Sequence, residues 1–344
     1  MNEKHSTWKI GWNNLRRNRS ALLSLWIILI FCLISLLAPL IANDKPLILI
    51  GGGRVYFPAF SDYILLKPII KLPETPEDGW KEFHEGKRCF ILSAPIPYSF
   101  KTTDINSVLR SPDWSHFMGT DGLGRDVLSR CIHGTTISLK VGVIAMGISL
   151  IIGLILGSLA GFYRGVIDVV ISRIIEIVIC FPTLFLILAV MAINPPFIRE
   201  IEPIFKIMIV IGLISWTGIA RYVRGEFMKL KEIDYTHAAR AVGAKNLRII
   251  FRHILPNSLA PVLVSASFGI AGAILAESSL SFLGLGVQPP TPSWGSILSE
   301  AQRYMQHAWW LALFPGFAIF LTVLSCNLLG EGIRDAFDPR MFEK

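Results

Sequence analysis

Charged residues are scarce in this chain of 344 residues. Asp, Glu, Lys and Arg make up 17% of it and hydrophobic residues 52%, whereas roughly a quarter of a soluble protein is charged. The apolar residues are concentrated in blocks of about twenty or more, which is typical of helices that cross a bilayer. The composition therefore excludes an ordinary soluble domain and indicates a polytopic membrane protein.

Motifs of catalysis are also missing from the sequence. It contains no Gly-x4-Gly-Lys-Ser/Thr phosphate loop, no His-Glu-x-x-His and no Gly-x-Ser-x-Gly. The seven histidines show no metal-ligand spacing. We therefore predict no catalytic residue, no metal site and no cofactor in this chain. The net charge of +8 does not indicate a nucleic-acid partner, because the basic residues cluster at the ends of the apolar blocks without an aromatic platform.

Cysteine is rare as well, with five residues in the chain. Cys89 and Cys131 both fall in a polar stretch between apolar blocks. A disulfide between them would suit an oxidising compartment, but their spacing does not specify one, so this pairing stays open.

Six apolar blocks predict six transmembrane helices. We place them at 21–41, 137–162, 167–193, 205–223, 257–285 and 309–331. Residues 1–20 precede the first helix and residues 335–344 form a tail. Lys and Arg are concentrated in the loop 224–256 and in the tail, so the positive-inside rule predicts that both termini are cytoplasmic. The permease core then spans 135–334.

The stretch 42–134 is too long for a simple hairpin loop. It contains several prolines, three consecutive glycines and strand-like pieces such as Val55-Tyr56-Phe57. We predict a small, partly irregular extracytoplasmic insert between helices 1 and 2.

Three features within the blocks predict how the helices are used. Gly153, Gly157 and Gly161 are four residues apart, so they share one helix face and allow a neighbouring backbone to approach closely. Trp309 begins an interfacial aromatic pair with the next residue. Glu277 is an acid within an apolar helix, which is costly unless it faces a cavity or a partner. A pathway-lining role, an inter-subunit contact and a structural bond between helices all stay open for Glu277.

The loop 224–256 has the pattern of two short helices. We predict Asp234 as the N-cap of the first helix and Gly243 as its end. Asn246 is the predicted N-cap of the second, and Pro256 is predicted to break it. One apolar face of the second helix is predicted to carry Leu247, Ile250, Phe251 and Ile254. From the residues alone, such a compact knob suits either a docked motor subunit or a helix resting on lipid headgroups.

The same loop resembles the coupling loop of bacterial ABC importer permeases. That family motif reads Glu-Ala-Ala-x3-Gly-x9-Ile-x-Leu-Pro, and here His237 replaces the glutamate and His253 the isoleucine. The resemblance implies that the loop docks into a groove on an ATP-hydrolysing subunit. The coupling residues that it implies are His237, Ala238, Ala239, Gly243, Leu255 and Pro256.

A second run, Met118 to Arg130, resembles the Gly-Thr-Asp-x-x-Gly-Arg-Asp signature of C-subunits of oligopeptide and dipeptide permeases. The matching periplasmic signature residues are Gly119, Thr120, Asp121, Gly124, Arg125 and Asp126. Asp121, Arg125 and Asp126 are predicted to bind one another and pin a turn, without touching substrate. Runs at 276–286 and 329–339 are similar to the same group, and Leu40–Pro46 is similar to the Yej-type branch, which handles oligopeptides and peptide-like antibiotics.

These resemblances imply an all-α protein of the type I ABC importer kind in the bacterial inner membrane. It would import peptides together with a second related permease subunit, two ATPase subunits that bind ATP and Mg, and a periplasmic binding protein. Another solute of the same family, such as nickel or a glycoside, is an alternative. An ion-coupled secondary transporter is another, but it would require several acids at the membrane midplane, and only Glu277 is a candidate.

Overall fold

The computed structural model describes residues 7–51, 54–59 and 90–337. Helices dominate this part of the chain. In chain order they are α1 Thr7–Arg17, α2 Arg19–Ile41, α3 Val127–Tyr163, α4 Gly165–Ile179, α5 Thr183–Ile193, α6 Pro196–Arg199, α7 Pro203–Lys231, α8 Asp234–Ala241, α9 Asn246–Ile249, α10 Leu255–Phe282, α11 Trp294–Tyr304 and α12 Trp310–Ala336. A π-helical turn, Ile250–Ile254, joins α9 to α10, and a short 3-10 helix spans Ile105–Ser107.

Five described helices are long and apolar enough to cross a membrane, and a bent pair makes a sixth candidate. The single spans are α2, α3, α7, the continuous run Asn246–Phe282, and α12. The predicted third span is the bent pair: α4 and α5 meet at 88°. Pro182 at the N-cap of α5 explains the bend, because proline disfavours helical geometry at the preceding Phe181.

Two helices are longer than their apolar blocks. α3 begins at Val127, well before the predicted block at 137–162, so the last residues assigned to the insert are helical. Asp126 caps this start, since its Oδ1 accepts a hydrogen bond from the Ser129 N–H at 2.7 Å. α7 runs on to Lys231, so the first part of the predicted loop 224–256 is also helix. Hydropathy missed both extensions because these turns carry polar side chains.

The chain divides into two compact units. Unit 1 comprises residues 1–29, 140–280 and 319–344, and unit 2 comprises residues 30–139 and 281–318.

In unit 1, the glycine stripe of α3 packs against α7, as predicted. A Cβ added at Gly157 would lie 2.5 Å from the carbonyl oxygen of Ala220, and one added at Gly161 would lie 2.6 Å from that of Arg224. No real Cβ tolerates such distances to backbone. The absence of a side chain at these positions therefore brings the two backbones together.

α4 is also held against α7 in unit 1. Ile171 and Ile175 pack with Trp216 in one buried cluster. Beside them, Arg224 forms a bidentate ion pair with Asp168, at 2.5 Å from Nε to Oδ1 and 2.7 Å from Nη2 to Oδ2. The first half of the bent pair is thus fastened to a neighbouring span by both apolar contacts and charge.

Unit 2 contains the described part of the insert. Strands β1 Ile48–Gly51, β2 Arg54–Tyr56 and β3 Phe90–Leu92 form an antiparallel sheet in the order β2-β1-β3. Leu49 pairs with Tyr56 on one side and with Ile91 on the other. Two residues of the predicted strand-like piece, Val55 and Tyr56, therefore lie in β2, and Phe57 follows the end of the strand. Residues 52–53 and 60–89 of the insert lie outside the described residues.

The core of unit 2 joins α3, α11 and the start of α12. Its buried members are Val127, Cys131, Ile297, Ala301, Ala308, Trp310 and Leu311. α11 begins at a capping box, in which the Ser293 hydroxyl accepts from the Ser296 N–H and Ser296 bonds back to the Ser293 N–H. Cys131 is a free thiol within this core, and Cys89, its partner in the open disulfide pairing, lies outside the described residues.

Candidate functional site

Residues 232–256 form the first candidate site, which we call the elbow. It leaves α7 at Glu232, turns through α8 and returns to the membrane span through α9. Gly243 ends α8 with φ +84°. The Gly243 N–H donates to the Arg240 carbonyl at 3.0 Å and the Ala244 N–H to the Ala239 carbonyl at 3.0 Å. This pair of bonds is a Schellman cap, which explains why a glycine is required there.

The start of each elbow helix differs from the prediction. Ile233, not Asp234, is the N-cap of α8, and Lys245, not Asn246, is the N-cap of α9. Asp234 instead occupies the first helical position, where its negative charge still complements the helix dipole. Each cap lacks a side-chain hydrogen bond.

The second elbow helix is not a separate short helix. The chain continues from Asn246 through the π-helical turn into α10. Pro256 therefore does not break the helix: its ring and missing N–H disturb the preceding turn, and the wider π turn accommodates this disturbance. The Leu255 N–H donates to the Ile250 carbonyl, five residues back.

The π turn also divides the predicted apolar face. Ile250 and Ile254 are buried, but Leu247 and Phe251 are 65% and 64% exposed. The regular 3.6-residue period placed all four residues on one stripe, whereas the added residue in the π turn rotates the faces relative to each other. Ile249, which was not predicted as a core residue, is fully buried instead.

Buried side chains fasten the elbow to the membrane helices. The buried residues Ile249, Ile250 and Ile254 belong to one cluster with Phe162 from the end of α3. From α7 the same cluster takes in Val223, Phe227 and Leu230. The Lys231 ammonium donates to the Phe162 carbonyl at 2.7 Å and adds a polar contact at the same place.

The outer surface of the elbow presents small and apolar side chains among charged ones, which include Arg240, Lys245 and Arg248. Val242 is 84% exposed, and His237, Ala238 and Gly243 are exposed too. No atom lies within 4 Å of a Cβ built at Gly243. Ala239, one of the coupling residues that the resemblance implies, is buried instead.

Two further coupling residues that the resemblance implies lie where the elbow joins α10. Leu255 is half-buried and Pro256 is exposed. The His237 imidazole Nε2 lies 3.7 Å from the Glu232 carboxylate, which also bonds to Arg164 at 2.9 Å.

The second candidate site lies in unit 2 around the predicted signature residues. Gly119 and Gly124 have φ +71° and +74°. A Cβ at Gly119 would lie 2.7 Å from the Arg110 carbonyl oxygen, and one at Gly124 would overlap that of Asp104. The Thr120 hydroxyl accepts from the Arg110 N–H at 2.8 Å and donates to the Ser107 carbonyl. Only glycine at both turn positions permits this close packing.

Asp121 is fully buried and collects donors. Its Oδ1 accepts from the backbone N–H of Leu123 at 2.8 Å and of Arg125 at 3.0 Å. Its Oδ2 accepts from the Arg125 Nε at 2.7 Å and from Arg130. The predicted bonding between Asp121 and Arg125 is therefore present.

Glu300 of α11 completes what we call the signature cluster: Asp121, Arg125, Arg130 and Glu300. Its Oε1 accepts from Arg125 Nη2 at 3.0 Å and from Arg130 Nη2 at 2.7 Å, and its Oε2 accepts from Arg130 Nη1 at 2.7 Å. Two carboxylates thus compensate two guanidiniums, which buried charges require. No sequence pattern predicted a role for Arg130 or Glu300. Arg130 closed the signature run, but nothing in the sequence connected it to Glu300.

Asp126 does not join this cluster. It caps α3, and its Oδ2 lies 2.9 Å from the Nδ1 of buried His116. Burial raises the pKa of the Asp126 carboxyl, while the bond from the Ser129 N–H opposes that shift. Its role in the structure is to begin α3 and to hold the loop that contains His116.

A pocket of about 350 Å³ opens beside the signature cluster. Arg125, Arg130 and Glu300 form its charged floor, with Arg303 and Gln288 among its other lining residues. The four charges of the signature cluster balance one another, and Arg303 adds a further positive charge to the lining.

Glu277, the acid predicted to line the pathway or to contact a partner or a neighbouring helix, lies in α10 within unit 1. It is fully buried, and the Ser278 hydroxyl donates to its Oε2 at 3.4 Å.

Known proteins are similar to this chain in sequence and in fold. Residues 153–343 match the sequence family described as binding-protein-dependent transport system inner membrane component. Residues 6–60 match the family described as the N-terminal transmembrane domain of oligopeptide transport permease C. The dipeptide transport system permease protein DppC of Alkalihalophilus pseudofirmus is 41% identical over 71% of this chain and 78% of its own length. The oligopeptide permease protein OppC of Haemophilus influenzae is 41% identical over 73% and 80%.

The fold has a solved counterpart. The inward-facing crystal structure of the MetNI methionine ABC transporter matches with a TM-score of 0.51 and 18% identity, over 60% of this chain and 95% of that one. The first family match alone covers more than half of the sequence. The chain therefore belongs to the family of binding-protein-dependent transport system inner membrane components, as a multi-pass protein of the inner membrane.

Proposed function

We propose that this chain is a membrane-spanning subunit of an ATP-driven importer of peptides. The observation that carries the proposal is its 41% identity to dipeptide and oligopeptide permease proteins over more than two thirds of its length. The Yej-type branch, with oligopeptides and peptide-like antibiotics as cargo, stays a finer prediction.

The proposed assembly contains a second related permease subunit, two ATPase subunits that bind ATP and Mg, and a periplasmic binding protein. Because no phosphate loop is present in this chain, hydrolysis belongs to the ATPase subunits. We place both termini and the elbow in the cytoplasm, and the insert and the signature cluster in the periplasm, on the distribution of Lys and Arg.

The elbow is the proposed contact with the ATPase. Its exposed face offers small or apolar side chains, including Ala238, Val242 and Phe251, to a partner groove. Its inner face is fixed by Ile249 and Ile254 in the cluster with α3 and α7. A displacement of the outer face would therefore be transmitted to two spans, because packed cores move as units rather than deforming.

His237, Ala239, Leu255 and Pro256 contribute to this coupling in different ways. His237 stands where the family motif has a carboxylate and is exposed beside Glu232. The small, buried side chain of Ala239 allows α8 to pack closely on the residues that it contacts. Leu255 and Pro256 shape the π turn. Glu277 remains a proposed pathway or inter-subunit residue, which a change of conformation would have to uncover.

The signature residues have a positioning role in this proposal. Gly119, Thr120, Asp121, Gly124, Arg125 and Asp126 fix the loop at the start of α3 and hold the rim of the pathway without binding the cargo.

Uptake by the reconstituted complex tests both the requirement for ATP and the peptide cargo. The complex in proteoliposomes should accumulate a labelled oligopeptide, supplied with the binding protein, only when ATP is present. Ni²⁺ or a glycoside transported in its place would support the alternative cargo, and ion-driven uptake without ATPase subunits would overturn the importer assignment.

Gly243→Leu tests the elbow. Uptake should fall at least about tenfold while ATP hydrolysis continues, because the side chain at positive φ remodels the docking face. Gly165→Leu is the matched control: Gly165 has φ +60° and open space around its Cβ, but it lies outside the elbow. Equal losses in both variants would mean that backbone strain, not docking, explains the effect.

A further inference from the structure

The loop that precedes the signature cluster ends in two exposed aromatic side chains that the proposed function does not use. Trp114 is 91% exposed and Phe117 is 57% exposed. Their rings contact each other edge to face, with centroids 6.2 Å apart. Fully burying one large apolar side chain stabilises a protein by about 1.5–3 kcal/mol. Two adjacent aromatic side chains that the chain itself leaves exposed therefore indicate a contact with a membrane or with another molecule.

This loop tip is a built turn. The Asp113 carboxylate accepts from the N–H groups of Ser115 at 2.9 Å and His116 at 2.8 Å. The Asp113 N–H donates in turn to the His116 carbonyl at 3.0 Å. Arg110 forms an ion pair with the same carboxylate at 2.6 Å. Trp114 is the second residue of this turn, 113–116, so these bonds fix the backbone from which its exposed side chain extends.

The base of the loop is attached to the end of a membrane span. The Trp310 indole N–H donates to the Thr120 carbonyl at 2.9 Å, and Met118 packs on the cluster that contains Trp310. Trp310 is the first residue of α12, a candidate span, and Trp309 beside it is 54% exposed. Phe117 lies two residues before Gly119, where an added Cβ would lie 2.8 Å from the Trp310 indole nitrogen. The Phe117 Cα is therefore within about 7 Å of the Gly119 Cα.

We infer that Trp114 and Phe117 form a membrane-interface anchor that enters the lipid headgroup region of the leaflet in which α12 begins. Indole rings concentrate at that depth because their apolar body and polar N–H suit its two sides. Trp309, beside the first residue of α12, adds another exposed aromatic side chain at the start of this candidate span. The Arg110–Asp113 pair adjoins the rings with charges that suit zwitterionic headgroups. The inference requires that α12 crosses the membrane, and it does not depend on the cargo.

Photo-crosslinking in native membrane vesicles tests the anchor. p-Benzoylphenylalanine is placed at Trp114 in the full-length chain within its complex, and at Asn106, an exposed polar position of unit 2, as the control. The yield of phospholipid adducts at 114 should exceed that at 106 by at least about threefold. Adducts of residue 114 with another polypeptide, such as the binding protein, would overturn the inference. Equal lipid yields at the two positions would do the same.

Quenching by brominated phospholipids gives a second readout with a predicted sign. The chain has nine tryptophans, and Trp114→Phe removes one of them from an exposed position, so folding is not at stake. If lipid contacts Trp114, the quenched share of the total emission decreases in the variant. If Trp114 lies in water or against protein, removing it increases that share, and the anchor is wrong.

Discussion

Arg130 and Glu300 are 170 residues apart in sequence and form a bidentate ion pair, with both nitrogen–oxygen distances at 2.7 Å. The pair ties the first turns of α3 to α11 in unit 2. Arg130 is 2% exposed and shares its charge with Asp121 as well. This relationship makes the signature a structural clamp whose loss should be measurable.

Glu300→Gln should lower the stability of unit 2 strongly. Removing one partner of a buried ion pair typically costs about 3–5 kcal/mol, and the partial exposure of Glu300 places the expected loss at the low end. A fall in the midpoint of thermal unfolding in detergent would show it. Arg303→Gln, which changes a charge on the pocket rim, should leave the midpoint nearly unchanged. Equal midpoints for Glu300→Gln and the unmodified protein would contradict the clamp.

Gly157→Ala should destabilise the chain although alanine is the better helix former. The new methyl would lie 2.5 Å from the Ala220 carbonyl oxygen, and overpacking of this kind costs about 1–3 kcal/mol. Gly147→Ala in the same helix is the control, because its Cβ meets no atom within 4 Å. It should be neutral or stabilising by up to about 1 kcal/mol. Thermal unfolding of the two variants side by side decides the matter, and the prediction fails if both respond alike.

Phe251→Ser and Ile250→Ser should separate docking from folding within the elbow. Phe251 is exposed and Ile250 is 6% exposed. The Phe251 variant should fold normally but recover less ATPase subunit on co-purification, because it loses an apolar docking contact. The Ile250 variant should lose thermal stability, since a hydroxyl enters the cluster with Phe162. Undiminished ATPase recovery with Phe251→Ser would remove this residue from the docking face.

The turn around Asp113 should be resistant to acid. Hydrogen bonds from Ser115 and His116 lower the pKa of the Asp113 carboxyl from 3.8 to about 2. A folded-state pKa below the unfolded value means that the stabilisation is present above pH 3.8 and is lost as the pH falls towards 2. Hydrogen exchange, corrected for intrinsic rates, should show constant protection of the Ser115 and His116 amides from pH 7 to about pH 4, with a decline below it.

Asp113→Asn provides the comparison for this pH dependence. The amide keeps an acceptor oxygen but has no charge to lose, so its protection should be weaker and should not change between pH 4 and pH 2. A wild-type turn that loosens already at pH 5 or 6 would show that another group controls it.

Features that depend on neighbours in the sequence were predicted well. The glycine stripe of α3, the end of α8 at Gly243 and the apolar blocks follow from local spacing and from backbone preferences that glycine alone satisfies. Helix limits were less accurate at Val127 and Lys231, because amphipathic turns lie beyond the apolar residues that define a block. The π turn before Pro256 was missed because it changes the helical period on which the predicted face of Leu247 and Phe251 depended.

By itself, the sequence determined that this chain is a polytopic membrane protein with a loop that resembles the coupling motif of importer permeases, since composition, block length and motif spacing are properties of contiguous residues. Only the tertiary structure decided that α4 and α5 meet at 88°, that Ala239 faces inward, and that Glu300 pairs with Arg125 and Arg130. These features depend on which distant segments share a buried volume. Burial selects the partner of a charge or a methyl group by its position in space, and no local pattern encodes that position.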